Sequence, residues 1–217
     1  MQTMPRRVSA QSLRTKRAAA RELLHHGSPY VLVAVIAACV VARTRAGGPI
    51  GLQDGVALVA VLLARPFVEW GLHRIVLHGS ARTIAGRTVD PGASHRGHHQ
   101  EPDDVGGALL GTPYAIADSL AIVAAIAVVG AGFIPFIETY PFAGVMTAAA
   151  AAGAGLLWYE WAHLLFHTGY RPRTSWFRQL RTNHRRHHYR DERRWLGVTS
   201  MIVDRLAGTH DAVRTTV

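Results

Sequence analysis

Apolar residues along this chain gather in four blocks instead of following the three-to-four-residue rhythm of an amphipathic surface helix. Tyr30–Ala42 is the first block, and a turn-like Arg43-Thr-Arg-Ala-Gly-Gly-Pro49 follows it. Val56–Val68 is the second, interrupted by Arg65-Pro66, and it runs on into a pair of histidines. Both fall short of the ~20 residues that usually cross a bilayer, so they are expected to form a tilted hairpin or to extend into their polar flanks. Ala115–Phe136 and Phe142–Trp161, the third and fourth, are near full spanning length, and the Gly132–Pro141 link makes a tight turn between them. The expectation is an all-α integral-membrane bundle of about four transmembrane helices. Within the fourth block the Ala148–Ala152 run with Gly153 and Gly155 reads as packing surface, where small residues let helices approach closely.

Charge supplies the orientation. The formal net charge of +10 is almost all arginine, with Lys16 the only lysine. With four crossings, 21 of the 24 basic residues fall on one side, while Arg43 and Arg45 fall on the other. Positive-inside asymmetry then places both termini and the histidine-rich segments in the cytoplasm. The N-terminal stretch is too basic and polar for a cleavable signal, and residues 1–28 are expected to form a basic tail preceding a single domain over residues 29–217. No recognition motif accompanies the charge, so nucleic acid is not an expected partner. One cysteine, Cys39, excludes an internal disulfide and a cysteine-based zinc site.

Ten of the thirteen histidines cluster just beyond the apolar blocks: His73 and His78; His95, His98 and His99; His163 and His167; His184, His187 and His188. Two of these clusters have the form HxxHH, and on a helix three such positions project together. His163 and His167 stand one helical turn apart, with Glu160 preceding them on the same face. His73 and His78 diverge by roughly 140° on an ideal helix, so they serve two metals or straddle a helix end. A polar residue at an interface accounts for His25, His26 and His210, which lack partners in sequence. It does not account for the clusters, since serine or arginine would serve there as well. One metal rarely takes more than six ligands, so ten imidazoles point to two ions. Imidazole-only coordination suits zinc, copper, iron or nickel. HExxH is absent, which disfavours a zinc protease.

The four clusters in this order, with Arg74 inside the first, resemble the fatty acid hydroxylase and sterol desaturase superfamily of integral-membrane di-iron enzymes. Further features are similar to the fatty acid 2-hydroxylase-like branch: the long interval from His78 to His95, His98-His99-Gln-Glu-Pro-Asp-Asp104, Tyr159-Glu160, and the closing Leu196-Gly-Val-Thr-Ser200 with Asp204–Thr209. The resemblance implies that the ten clustered histidines ligate two iron ions in a cytoplasmic helical cap, although zinc can occupy such a site in purified protein. It implies dioxygen as co-substrate, a lipid substrate (a fatty acyl chain first, a sterol or carotenoid as the alternative) and hydroxylation ahead of desaturation. The family's fused electron-carrying domain is not found here, so a separate reductase with a ferredoxin or cytochrome-type carrier is expected. Glu160 stands where aspartate is common, and the segment after Asp104 keeps little beyond Pro113. Asp104, Glu160 and Asp204 are expected to support the ligands. Gly197, Thr199 and Ser200 are expected to close the cap, Ser200 capping a helix. The nine arginines from Arg171 to Arg194 suit an anchor to anionic headgroups, or docking of an acidic electron carrier. The rival chemistries are a di-zinc lipid hydrolase and a non-catalytic metal-binding membrane protein.

Overall fold

The computed structural model describes residues 8–111 and 141–210, with positions 113, 117 and 121 between them. The elements are α1 (Lys16–Leu23), α2 (Ser28–Arg45), α3 (Leu52–Leu72), β1 (Arg82–Ile84), β2 (Arg87–Val89), α4 (Ala93–Gln100), α5 (Pro141–His167), α6 (Ser175–Tyr189) and α7 (Ile202–Leu206). Among the described residues the departure from all-α is the β1–β2 hairpin, which pairs Arg82 with Val89 and Thr83 with Thr88. Its two-residue loop, Ala85-Gly86, has positive φ at both positions, the geometry that matches the twist of a tight hairpin.

Among the described residues, three helices are long and apolar enough to cross a membrane: Ser28–Arg45 with 18 residues, and Leu52–Leu77 and Phe142–His167 with 26 each. Apart from positions 117 and 121, the expected third block, Ala115–Phe136, lies outside the described residues, as does most of the Gly132–Pro141 link. The first two helices are longer than their apolar blocks because helix continues into the polar flanks. Arg65-Pro66 does not interrupt α3. Proline removes only its own backbone donor, and apolar surroundings strongly favour keeping the remaining helical bonds. Along α3, Val56, Val59, Leu62, Leu63 and Phe67 are all exposed, a surface suited to lipid and costly in water.

The chain divides into two compact units. One comprises residues 8–21, 66–109 and 161–210; the other comprises 22–65 and the described part of 110–160. The second unit is organised around a buried ion pair. Arg43 donates from Nε and Nη2 to the two carboxylate oxygens of Asp54, each at 2.6 Å. Arg43 also reaches the Pro49 carbonyl at 2.9 Å, Gly51 N–H donates to Asp54 at 3.0 Å, and the Thr147 hydroxyl of α5 donates to the same carboxylate. Arg43 was expected in a turn. It instead lies in the last turn of α2, and the chain reverses just after it at Gly47 and Gly48, both with positive φ. The small residues of α5 do form packing surface: a Cβ on Gly153 would sit 3.0 Å from Ile36 Cγ1, and one on Gly155 2.8 Å from Arg65 Cδ.

In the first unit the N-terminal stretch is fastened by its backbone. Ala10 N–H donates to Asp103 O at 3.0 Å, Gly169 N–H donates to Ala10 O at 3.2 Å, and Ala10 is fully buried.

Asp54→Ala leaves the Arg43 guanidinium buried without its anion, whereas Arg43→Leu with Asp54→Leu removes both charges together. The single variant is expected to lower the unfolding midpoint in detergent more than the double variant does. An equal or smaller loss in the single variant would mean that the pair does not organise this unit.

Candidate metal centre

The α3 helix does not end at Leu72 but widens into a π-helical turn over His73–Leu77. His78 N–H bonds to His73 O at 3.1 Å, an i to i+5 closure. The wider turn corrects the 140° divergence expected of an α-helix. The rings of His73 and His78 stack with centroids 5.1 Å apart, so they straddle the helix end as partners in one group. Glycines make the following excursion possible. A Cβ on Gly79 would meet Ile75 O at 2.4 Å, and one on Gly92 would meet Leu77 O at 2.4 Å. The chain therefore leaves the π turn, makes the hairpin and returns onto the same turn to start α4. Arg96 clasps the two ends, donating to Gly79 O at 2.5 Å and to Asp90 at 2.6 Å.

All ten clustered histidines meet within the first unit, where the described residues form two candidate metal-holding groups. His73, His78, His95, His99 and His187 form one; His98, His163, His167 and His188 form the other, with ligand atoms inside each group within 4.8 Å of one another. His184 joins the second through Nε2, which lies 2.9 Å from His167 Nε2. His25, His26 and His210 belong to neither. The HxxHH clusters thus do not project as single sets. Neighbouring residues on a helix point about 100° apart, so His98 and His99 face different groups, as do His187 and His188.

Proton bookkeeping shows what the groups require. Four rings spend their Nδ1–H on backbone carbonyls: His73 on Leu196 O at 2.5 Å, His163 on Ala108 O at 2.7 Å, His167 on Pro102 O at 2.9 Å and His187 on Arg194 O at 2.8 Å. A carbonyl only accepts, so each of these neutral rings has a bare lone pair at Nε2. Yet His163 and His167 bring those Nε2 atoms within 3.3 Å of each other. In the other group His187 Nε2 lies 3.1 Å from both His78 Nε2 and His99 Nε2, and His73 Nε2 lies 3.0 Å from His95 Nε2. His188 is more telling still: both ring nitrogens are buried with no hydrogen-bond partner. Lone pairs converging from several sides are satisfied by a shared cation, and imidazole suits a transition metal. The residues fit metal ions.

The carbonyls that orient these rings are themselves held. Trp195 stands between the two acceptors of Arg194 and Leu196 with φ of 53°, and its N–H donates to Thr209 O at 3.1 Å. Asp204 accepts from the N–H groups of Leu196 and Gly197 at 2.9 and 2.8 Å and from the Thr209 hydroxyl at 2.6 Å. Trp70 Nε1 reaches the same carboxylate at 3.2 Å. Thr199 donates from its N–H and its hydroxyl to Glu69. Glu160 accepts from Leu110 N–H at 2.9 Å, and Asp104 from Gly106 N–H at 3.1 Å. Sequence reasoning missed Glu69 and Trp70; a carboxylate closing an apolar run one helical turn before His73 was the available signal. Ser200 accepts from Ile202 N–H at 3.3 Å from an exposed position, a looser cap than expected.

Burial keeps the imidazoles neutral. It depresses His99 to about 3 and His98 and His187 to about 2, the neighbouring imidazoles adding to the effect. His95, His184 and His188 are depressed for the same reasons, and burial with the Arg96 charge depresses His78, where Glu192 partly offsets them.

A Cβ on Gly197 would lie 2.0 Å from Ser200 O and 3.0 Å from Asp204 Oδ2. Gly197→Ala is therefore expected to cost about 1–3 kcal/mol and to lower metal occupancy. Ser200→Ala should cost about 1 kcal/mol or less. Thermal midpoints and metal content of the two purified variants check the ordering.

Below its usual pKa of ~6.5 an unfolded histidine takes up a proton that the folded one refuses, so the unfolded state binds more protons. Stability from these rings is thus complete above pH 6.5 and is lost as pH falls from there toward 3. Each such histidine contributes at most about 1.4 kcal/mol per pH unit to that slope. Chemical denaturation of the metal-depleted protein between pH 7.5 and about 5 should show the decline; a flat profile would contradict the depressed values.

The fatty acid hydroxylase family model matches residues 58–209, a stretch that takes in every clustered histidine. Among curated proteins, the dihydroceramide fatty acyl 2-hydroxylase FAH2 of Arabidopsis thaliana is 25% identical over 166 residues, covering 75% of this chain and 63% of that protein. This chain therefore spans less than two thirds of that relative's length. Among solved structures, full-length Scs7p with only its hydroxylase domain visible matches at a TM-score of 0.59 and 19% identity, over 86% of this chain and 67% of that one. That second likeness concerns the fold alone. The family match covers well over half of the chain, and the protein belongs to the fatty acid hydroxylase family.

Proposed function

We propose that this protein hydroxylates the fatty acyl chain of a membrane lipid, using dioxygen and electrons from a separate carrier, at two iron ions held by the ten clustered histidines. The observation that carries the reading is the convergence of bare imidazole nitrogens in two groups. His73, His78, His95, His99 and His187 would hold one ion; His98, His163, His167, His184 and His188 the other. Such ions supply what side chains lack, activation of dioxygen and cleavage of an unactivated C–H bond. The chain's own groups do the rest. The carbonyls of Pro102, Ala108, Arg194 and Leu196 lock ring tautomer and direction. Phe166 packs its ring 5.6 Å from that of His184, and Leu164, Leu165 and Trp195 are buried in the same unit. The acyl assignment follows the fatty acyl 2-hydroxylase activity of the Arabidopsis relative and the apolar surface of the helices.

The same geometry supports a fourth crossing. α3 and α5 both deliver histidines to one cluster from their C-terminal ends. α5 is about 40 Å long at 1.5 Å per residue, enough to span a bilayer. Ala115–Phe136, the apolar block between α4 and α5 in sequence, is the proposed fourth crossing. Charge asymmetry makes the cluster side cytoplasmic. Reporter fusions after Val217 and within residues 46–53 should report the cytoplasm and the opposite side. Two fusions reporting one side would remove the first hairpin.

His98→Ala, His167→Ala and His187→Ala should each lower metal occupancy and abolish lipid oxidation, whereas His25→Ala and His210→Ala should do neither. Iron should support turnover with dioxygen and a reductant. Zinc, lacking redox chemistry, should leave the protein silent. A zinc-loaded, iron-free preparation that cleaves lipid without oxygen would replace this reading with a hydrolase.

A further inference from the structure

Away from the histidines, the first unit carries a cleft of about 940 Å³. One wall is the N-terminal stretch with Arg14 and Lys16; the other is the chain leaving α5, with Tyr170, Arg171 and Arg173, together with Arg181 from α6. Among the described residues, five cations and no carboxylate line it. The cleft is built by close backbone approach: a Cβ on Gly169 would sit 2.8 Å from Gln11 O, so the two walls meet at a glycine. Lys16 Nζ lies over the Tyr170 ring, 5.6 Å from its centroid. α1 opens at this cleft with no acidic residue in its first turn, so the positive end of its dipole adds to the field.

Arg181 is the informative member. It donates from Nη2 to Thr168 O at 2.9 Å, while its Nε is buried with no hydrogen-bond partner. Burial, Arg185 and Arg171 depress its pKa, the mark of a guanidinium crowded by like charge. Such crowding is unfavourable unless an anion joins it, and guanidinium forks match phosphate oxygens in geometry. A flat protein partner would leave a concave site of this volume unfilled.

We infer that this cleft is a binding site for a phosphate-bearing anion, in which Arg14, Lys16, Arg171, Arg173 and Arg181 surround the phosphate group. A phospholipid headgroup and a soluble phosphate share that chemistry, and the test separates them. The full chain is reconstituted in phosphatidylcholine nanodiscs, and its unfolding midpoint is followed as inorganic phosphate is added against chloride of equal ionic strength. A second set of discs contains phosphatidylglycerol. Arg171→Gln with Arg173→Gln removes two cleft charges at exposed positions. Arg190→Gln with Arg193→Gln removes two exposed charges elsewhere in the same unit.

A phosphate-specific rise in midpoint is expected in the first discs. Its apparent affinity should fall about tenfold or more in the cleft variant and stay within about twofold in the control variant. If phosphatidylglycerol alone stabilises the protein, or abolishes the phosphate response, and the cleft variant loses that effect, the anion is a lipid headgroup. If the phosphate response persists unchanged in phosphatidylglycerol, the anion is soluble. No specific response to either anion, or equal losses in the two double variants, overturns the site.

Discussion

Crowding of imidazole lone pairs is the constraint on which the rest of this structure depends. Neutral rings brought together at Nε2 to Nε2 separations near 3 Å repel one another unless a proton or a cation lies between them. Protons are excluded where Nδ1 is already committed to a carbonyl and burial disfavours the imidazolium. At His163 and His167, whose Nδ1 atoms both face carbonyls while their Nε2 atoms lie 3.3 Å apart, the arrangement suits a cation between the rings. Family membership and geometry agree on this point through independent routes.

Holding the rings in place takes more than the helices that carry them. The segment from Arg194 to Leu196 presents two carbonyls to two histidines of one group, with a buried tryptophan in the left-handed region between them. Backbone of that kind persists only when its surroundings over-determine it. Here the Asp204 carboxylate, the Thr209 carbonyl and hydroxyl, and Glu69 through Thr199 do so. Carboxylates in this unit thus act on the metal groups at one remove, by fixing backbone that fixes rings.

Much of this was legible in the sequence, for physical reasons that differ by element. The pair at His163 and His167 declares itself because helical spacing converts directly into a shared face, the two HxxHH runs stand out by histidine density alone, and the apolar blocks declare helices by length. Other features could not be read. His73 and His78 look misaligned because no residue pattern announces a π turn, and the turn depends on Gly79 and Gly92 making close backbone approaches. Carbonyl acceptors are chemically identical at every position, so Pro102, Ala108, Arg194 and Leu196 are indistinguishable from their neighbours until the chain is folded. Arg43 reads as a loop charge because its partner, eleven residues on, is an isolated aspartate within an apolar neighbourhood. The division of each HxxHH run between two groups was open to sequence reasoning, since a 100° step separates adjacent residues, but three histidines on one short helix invite treatment as a set.

That division has a mechanical consequence. His98 and His99 share the rigid α4, His187 and His188 share α6, and each pair hands one ring to either group. The two groups are geared together: a rotation of either helix that tightens one necessarily changes the other. Under the proposed assignment the first ion to arrive would set the helix phases that the second requires. Metallation would then proceed as a cooperative, near all-or-none event, and singly loaded molecules would be scarce at equilibrium.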